Sequence, residues 1–366
     1  MESMDNRTRI IETIRCRPVD RLPFFFCFGP WPETLRRWNR EGLPPGKPWW
    51  EDFGFDPGII TVRAELGLCP FYPEIMLENR GDTYLCRDRS GITKLCRKDG
   101  GSIPRFLDYP VKNMDDWQQL KNERLQAGHP GRFPGDWPDL ACQWNQGAHI
   151  VQAGRYPWGL FGTARDLMGV EALMIAFYEQ PELIHDIMDT LTDLWLTLYA
   201  QVIRDVRVDA IHLWEDMSGK QGSLISPAMI EEFMLPNYRK ISRFAKENGI
   251  PVFSVDTDGD VRELVPLFLS TGVNLIFPFE VAAGCDINEY RRQYPNLGIM
   301  GGIDKQKIAL GPKSIDTELK RIEGMFRHSG FIPSLDHLIH PEISWADFQY
   351  FITRLREMIF RYAGTY

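Results

Sequence analysis

The chain is predicted to fold as an α/β protein, a single (β/α)8 TIM barrel over residues 1–366. Three observations predict this fold. Short apolar runs recur along the chain, long helical patterns such as 182–207 and 227–248 separate most of them, and no G-x-G-x-x-G turn follows any run. Continuous apolar runs are typical of parallel strands that helices cover on both faces. An open doubly wound sheet remains an alternative, although it loses support without the glycine-rich turn.

Eight runs have the length and composition of buried strands. In chain order they are RLPFFFCF, DPGIITV, HIVQAG, VDAIHLW, IPVFSV, GVNLIFPF, NLGIMGGI and GFIPSL. Residues 74–110 interrupt this series with alternating apolar and polar residues around RDRSG, which predicts a β-hairpin insertion near the N-terminus. Residues 116–147 are rich in Gly, Pro and charged residues, so we expect an irregular connection with a short helix there.

Composition narrows the classes of partner. The net charge is -8 and basic residues form no long run, which argues against a nucleic-acid partner. No uncharged apolar stretch reaches the roughly 18 residues that a membrane span needs, and the first residues lack an apolar block, so we expect a cytoplasmic protein without a membrane partner. Seven cysteines without a C-x-x-C pair disfavour a disulfide framework and a thiolate zinc knuckle.

Charged residues follow five successive strand-like runs at the point where each run ends. They are Glu215 and Asp216; Asp256, Asp258 and Asp260; Glu280; Asp304 and Lys305; and Asp336 and His337. In a barrel these ends share one mouth, where chemistry resides. Some of the acids are expected to be helix caps, Asp260 in particular. The remaining carboxylates predict a metal or a cationic ligand, because their mutual repulsion must be offset.

Two competing motifs do not fit these residues. An EF-hand that begins at Asp256 requires Gly at position six and Glu at position twelve, whereas Gly259 is the fourth residue and Leu267 the twelfth. A serine nucleophile is poorly supported because no G-x-S-x-G elbow occurs. Among the histidines, His337 is singled out by its position beside an acid at a strand end, whereas His212 lies within an apolar run and is expected in the core.

Four segments in order carry a family resemblance. They are NRTRIIETIRCRPVDRLPFFF, VFSVDTDGD, GVNLIFPFEVAAGCDINEYRRQYPNLGIMGGID and GFIPSLDHLIHPEISWADF. The chain resembles the uroporphyrinogen decarboxylase superfamily of (β/α)8 barrels, which includes the haem-pathway decarboxylase and cobalamin-dependent methyltransferases. The decarboxylase's RQAGR element is replaced by CFGPWPETLRRW, its catalytic aspartate is missing from DPGIITVR, and its pocket tyrosine falls on Leu167. The resemblance therefore implies the methyltransferase branch rather than porphyrinogen decarboxylation.

The same resemblance implies a ligand set. Thiol-methylating members hold zinc with a His-x-Cys and a Cys, and these positions fall on Asp256, Asp258 and His337. Oxygen and nitrogen ligands leave a metal harder, which suits the polarisation of an ether oxygen. If no metal is bound, a protonated His337 supported by Asp336 is the predicted general acid. Glu215 is the predicted additional ligand or base.

The resulting functional prediction is an O-demethylating methyltransferase. It passes a methyl group from a small methoxylated, aromatic compound to the Co(I) of cobalamin, which a separate corrinoid-binding protein carries; zinc is an optional second cofactor. The predicted substrate-binding residues are Trp31, Trp158, Trp214, Arg165, Glu280 and Lys305. A decarboxylase or lyase for a small acid is the alternative, a non-enzymatic partner of corrinoid or haem metabolism is a third, and a homodimer is left open.

Overall fold

The structure is a computed structural model that describes residues 3–99 and 104–366. Its strands are β1 (Ile59–Thr61), β2 (Ile75–Arg80), β3 (Thr83–Arg87), β4 (Thr93–Arg97), β5 (Arg105–Asp108), β6 (Ile150–Ala153), β7 (Ala210–Trp214), β8 (Ser218–Gly219), β9 (Gly222–Ser223), β10 (Val252–Asp256), β11 (Leu275–Phe277), β12 (Gly298–Met300) and β13 (Phe331–Ile332). Its α-helices are α1 (Asn6–Ile14), α2 (Pro32–Glu41), α3 (Met114–Arg124), α4 (Trp137–Gln146), α5 (Leu160–Met168), α6 (Val170–Glu179), α7 (Pro181–Asp205), α8 (Pro227–Met229), α9 (Leu235–Glu247), α10 (Leu264–Leu269), α11 (Ile287–Gln293), α12 (Lys305–Ile308), α13 (Pro312–Arg321) and α14 (Trp345–Arg361).

A curled parallel sheet of seven strands forms the centre of the molecule. Its order, β1-β6-β7-β10-β11-β12-β13, follows the order of the chain. Six of these strands lie inside one of the eight apolar runs, β10 extends one residue beyond its run, and helices precede most of the later strands. Consecutive parallel strands joined by helices are the arrangement of a TIM-like barrel. The α/β class and the barrel-like sheet agree with the sequence prediction.

The first predicted strand, residues 21–28, departs from the prediction. This segment forms no strand in the part of the chain that the structure describes, and a single parallel bridge between Pro30 and Ile339 lies beyond its end. The reason is a side chain. The carboxylate of Asp56 accepts the backbone N–H of Phe24 at 2.8 Å and is held by Arg21 at 2.7 Å. A carboxylate therefore takes a donor that a neighbouring strand would otherwise use.

Two apolar layers cover the sheet. Inside the curl, Ala210, Val252 and Leu275 pack with Ile14 from α1. The residues that alternate with them face outward and join a larger cluster with the helices. His212 also points inward; it contacts Ser254 at 3.0 Å and stacks on Phe277, so its predicted place in the core is confirmed. Burial lowers its pKa to about 3.

The segment predicted as a β-hairpin insertion forms a larger unit. Strands β2, β3, β4 and β5 make an antiparallel sheet in that order, and β3 pairs with β4 around the RDRSG turn. The predicted range 74–110 includes residues 100–103, which lie outside the described residues. Both outer strands, β2 and β5, are exposed along their whole length.

The long helix α7 illustrates how the helices cover the barrel. It has 25 residues, and one face buries Leu183, Ile187, Leu191 and Leu198. Its other face is polar, as expected for a helix at the protein surface. Among the described helices, none combines the length and the apolar character that crossing a membrane requires.

Candidate active site

A cavity of about 930 Å³ opens at the carboxyl ends of the central strands. Strand β7 contributes Trp214, the loop after β10 contributes Asp258, and the loop after β13 contributes His337. The antiparallel sheet reaches over this opening, since Ile92 and Phe106 also line it. The complete lining consists of Cys27, Phe28, Ile92, Phe106, Tyr109, Tyr156, Arg165, Asp166, Val170, Trp214, Asp216, Asp256, Asp258, His337 and Leu338.

The first titratable group in the cavity is an imidazole paired with a carboxylate. His337 Nε2 lies 3.3 Å from Asp258 Oδ2, and the ring of Phe28 stacks on the imidazole with centroids 5.1 Å apart. Burial on its own would lower the pKa of His337, but the hydrogen bond and the charge of Asp258 prevail and raise it. The pair can therefore keep a proton on the imidazole at a pH where a free histidine loses it.

Asp256 contributes a second acidic group. Its backbone oxygen accepts the N–H of Glu215 at 2.8 Å, while its carboxyl group lines the cavity and has no hydrogen-bond partner among the described residues. Burial raises the pKa of this carboxyl well above its usual range, and the neighbouring Asp258, Asp216 and Glu280 raise it further. The Asp256 carboxyl group thus lacks a counter-charge among the described residues, and a cation beside it would stabilise its ionised form.

Arg165 and its neighbours form the opposite wall. The guanidinium donates to the Asp216 carboxylate at 2.8 Å and lies over the ring of Trp214, 4.8 Å from its centroid. Tyr156 meets the same ring edge-on at 4.7 Å. Beside Arg165, burial raises the pKa of Asp166 to about 6, Arg165 opposes this shift, and Asp216 adds to it. The wall combines an aromatic surface with a carboxyl group that titrates near neutral pH.

Glu215 does not line the cavity. Its carboxylate accepts the N–H groups of Leu160 at 3.0 Å, Phe161 at 2.7 Å and Gly162 at 3.2 Å, and the Tyr238 hydroxyl at 2.6 Å. These N–H groups are the free donors at the start of α5. The helix can approach because Gly159 has no side chain; a Cβ there would lie 1.9 Å from the Trp214 oxygen. The contacts favour a structural role over the predicted role as ligand or base.

Three further predicted residues form a buried ion cluster next to the cavity. Lys305 Nζ lies 3.4 Å from both Glu280 and Asp336. The Asp336 carboxylate also accepts the N–H groups of Val281 and Lys305. The carboxylate oxygens of Asp336 are therefore occupied by this cluster. Asp258, and not the predicted Asp336, contacts the imidazole of His337. None of the three cluster residues belongs to the cavity lining.

The predicted zinc ligands do not form a metal site in this geometry. Within residues 3–99 and 104–366, no three His, Cys, Asp or Glu side chains come together in a way that could hold a metal ion. His337 Nε2 and Asp258 Oδ2 contact each other, and among the described residues Asp256 does not complete a set of three donors with them. The donor set therefore does not fit zinc, and the prediction of a metal held by these three residues is corrected.

Two predicted tryptophans also lie elsewhere. Trp31 is 38% exposed and meets His340 edge-on. Trp158 packs against Gly67, where a Cβ would come within 1.8 Å of its ring. The aromatic lining comes instead from Trp214 with four residues that the sequence analysis missed. They are Phe28, Phe106, Tyr109 and Tyr156. The sequence analysis also missed Asp166. Phe28 and Tyr156 could have been found, because Phe28 ends one predicted strand and Tyr156 lies just after another.

The chain matches a known protein family. The family model described as Uroporphyrinogen decarboxylase (URO-D) matches residues 148–358, which is more than half of the chain and includes most of the central strands and the cavity residues from Tyr156 onward. The chain belongs to the uroporphyrinogen decarboxylase family. The family resemblance stated from the sequence is therefore confirmed.

Relatives within this family carry two kinds of name. Methylcobamide:CoM methyltransferase MtbA of Methanosarcina acetivorans is 22% identical over 307 residues, which cover 82% of this chain and 83% of the relative. Uroporphyrinogen decarboxylase of Rhodococcus erythropolis is 27% identical over 168 residues, only 44% of this chain and 42% of the relative. A solved methyltransferase from Methanosarcina mazei superposes with a TM-score of 0.61 at 16% identity, covering 97% of this chain and 99% of that one, which shows the fold. The methyltransferase relative, which matches over 82% of the chain, is consistent with the cobalamin methyltransferase branch of the superfamily.

Proposed function

We propose that this protein transfers a methyl group from a small methoxylated aromatic compound to the Co(I) corrinoid of a partner protein. The observation that carries the proposal is the Asp258–His337 pair inside an aromatic cavity at the strand ends. The alignment with a methylcobamide:CoM methyltransferase, which covers 82% of the chain, supports the choice of reaction class. The corrinoid, brought by its own protein, supplies the nucleophile that accepts the methyl group.

The chemical obstacle is the leaving group. Expulsion of a phenolate, whose conjugate acid has a pKa of about 10, is made easier by about 1.4 kcal/mol for each pKa unit that proton transfer removes. Asp258 holds the Nε2–H of a protonated His337, so the proton at Nδ1 is the one available to the ether oxygen. The bond between the methyl carbon and oxygen breaks, the electron pair stays on oxygen, and a neutral phenol leaves. Solvent then returns a proton to His337.

The remaining side chains orient the substrate. Trp214, Tyr156 and Phe28 provide ring faces that suit an arene, and Arg165 fixes the orientation of Trp214 from above. Glu280 and Lys305 keep the loops at the mouth in place through their ion pair. The partner approaches from the open side of the cavity, where the Tyr156 side chain is 68% exposed. Zinc has no part in this mechanism because the available donors do not fit it.

We further infer that residues 1–366 form one barrel domain with 74–110 as an insertion, that the protein is cytoplasmic, and that it can form a homodimer. The insertion matters most for function, since Ile92 and Phe106 line the cavity from above.

The direct test supplies purified protein with a methoxylated benzene derivative and a reduced corrinoid. We expect the absorbance change that accompanies methylation of the corrinoid, together with one phenol released for each methyl group transferred. The His337→Gln variant should lose at least a hundredfold in rate, as general acids typically contribute this much. Lack of any phenol with a broad panel of donors and a competent partner would overturn the proposal.

The alternative, decarboxylation or cleavage of a small acid, is favoured by the relatives named as decarboxylases. It requires a cationic group that is free to bind a carboxylate. Arg165 is the arginine of the cavity lining, and it is already paired with Asp216 at 2.8 Å. Release of carbon dioxide from a panel of small acids, without methylation of the corrinoid, would favour this alternative.

A further inference from the structure

We propose that the cavity selects methyl donors that carry a positive charge, such as a methoxylated arene with an alkylammonium arm. This inference rests on the proposed function for the methyl donor itself, but the charge preference is a separate property of the binding site. Its basis is the charge balance of the cavity, the position of one unpartnered carboxyl group and the nature of the walls.

The charge balance of the lining is strongly acidic. Four aspartates line the cavity, against one arginine and one histidine. Both basic groups are already engaged: Arg165 pairs with Asp216 at 2.8 Å, and His337 pairs with Asp258 at 3.3 Å. Two carboxyl groups then remain. Asp166 lies 3.9 Å from Arg165, at the limit of an ion pair, and Asp256 has no basic partner in the described part of the chain.

The unpartnered carboxyl group of Asp256 supports the same charge preference. Asp256 is the last residue of β10 and lines the cavity, and its carboxyl group receives no hydrogen bond from the described residues. A carboxyl group that faces a cavity without a basic partner is open to a cationic ligand, which would supply the missing counter-charge. An ammonium group at this position would offer both a charge and N–H donors. Asp216 raises the pKa of both Asp166 and Asp256, so it lies within electrostatic range of both carboxyl groups.

The walls suit the same kind of ligand. Tyr109, Tyr156 and Trp214 lie on one side of the cavity lining, and Phe28 and Phe106 complete it. Aromatic faces attract cations through their quadrupole, and they also stack on an arene. A donor with a ring and an ammonium arm uses both properties. A carboxylate arm would meet four aspartates and no free basic group.

The charge preference is measured with three probes that share one ring: para-methoxyphenethylamine, para-methoxyphenethyl alcohol and para-methoxyphenylacetate. Binding to the full chain without corrinoid is followed by calorimetry and by tryptophan fluorescence, since Trp214 lines the cavity. We expect the amine to bind about tenfold more tightly than the alcohol, and the acid at least tenfold more weakly than the alcohol. Equal affinities, or tighter binding of the acid, would overturn the inference.

Variants locate the preference. Asp256→Asn and Asp166→Asn should each reduce the ratio of amine to alcohol affinity by about threefold or more, while affinity for the alcohol changes little. Glu247→Gln makes the same change in net charge on the exposed end of α9 and should leave the ratio unchanged. If Asp256→Asn fails to fold, Asp166→Asn still decides the outcome. A ratio that no cavity variant alters would refute the assignment.

The design separates this inference from the proposed function. Binding of the amine without phenol release would leave the charge preference standing and remove the methyl transfer. Phenol release from all three probes at equal efficiency and equal affinity would do the reverse.

Discussion

His337 and Asp258 face each other across the mouth of the barrel, with Nε2 3.3 Å from Oδ2. One residue follows β10 and the other follows β13, so the pair joins two strand ends that are far apart in the chain. Phe28 stacks on the imidazole and limits its rotation. The contact and the stacking together hold the imidazole in a defined orientation.

The Asp258→Asn variant should shift the pH dependence of methyl transfer. In the proposed mechanism the general acid is the protonated imidazole, so the rate is expected to fall as pH rises through the pKa of His337. Asp258 raises that pKa, and its removal should therefore move the fall to lower pH. Initial rates of phenol release from pH 5 to 9 measure the effect. A profile that stays in place would assign the proton to a different group.

The Glu215→Gln variant should be strongly destabilised. Glutamine places an NH2 group where a carboxylate oxygen accepts N–H groups at the start of α5, so buried donors would face each other. We expect a loss of about 3 kcal/mol in the free energy of unfolding, measured by urea denaturation. The matched variant Tyr238→Phe removes one donor to the same carboxylate and should cost about 1 kcal/mol. Unchanged stability with lost activity would instead support the catalytic role predicted from the sequence.

Replacement of the buried Lys305 should lower the free energy of unfolding. Lys305→Met leaves Asp336 and Glu280 without their cation, and Asp336 is fully buried. Breaking a buried ion pair from one side costs about 3 kcal/mol or more, which thermal or urea denaturation can measure. Lys307→Met, on the exposed side of the same short helix, should change stability by no more than about 0.5 kcal/mol. Equal effects of the two substitutions would contradict the buried cluster.

Asp166 should make stability depend on pH. Burial raises its pKa to about 6 in the folded protein, whereas an unfolded aspartate titrates near 4, so the folded state holds the proton more tightly. Its contribution to the free energy of unfolding therefore decreases as pH rises from about 4 to about 6. Asp166→Asn should be more stable than the parent at pH 8, by about 1 kcal/mol after allowance for its partial exposure, and equal to it near pH 4. The reverse order at pH 8 would contradict this assignment.

The seven central strands were predictable because buried parallel strands leave continuous apolar runs that need no knowledge of distant contacts. The eighth run, residues 21–28, has the same composition, yet it stays outside the sheet because Asp56 takes the N–H of Phe24. That side chain is 32 residues away in the chain. Composition cannot reveal a contact of this kind, and the four-stranded extent of the antiparallel sheet was hidden for a similar reason.

For the candidate site, the location was predictable from the sequence, but the directions of the side chains were not. The sequence located the mouth of the barrel, and Asp256, Asp258, His337 and Trp214 do line one cavity. It could not predict in which direction a residue just beyond a strand points. Glu215 turns toward the start of α5, and Asp336 turns toward Lys305. Asp166 escaped attention because it belongs to a helix, where strand-end reasoning does not apply.

The small antiparallel sheet has a consequence for how such a protein changes over time. Ile92 and Phe106 touch the cavity, yet both belong to a unit that contributes nothing to the central parallel strands. Mutations there would alter the shape of the cavity near His337 without disturbing the strands that position it. New substrate specificities can therefore arise through changes in the antiparallel sheet while the residues at the ends of the central strands stay the same.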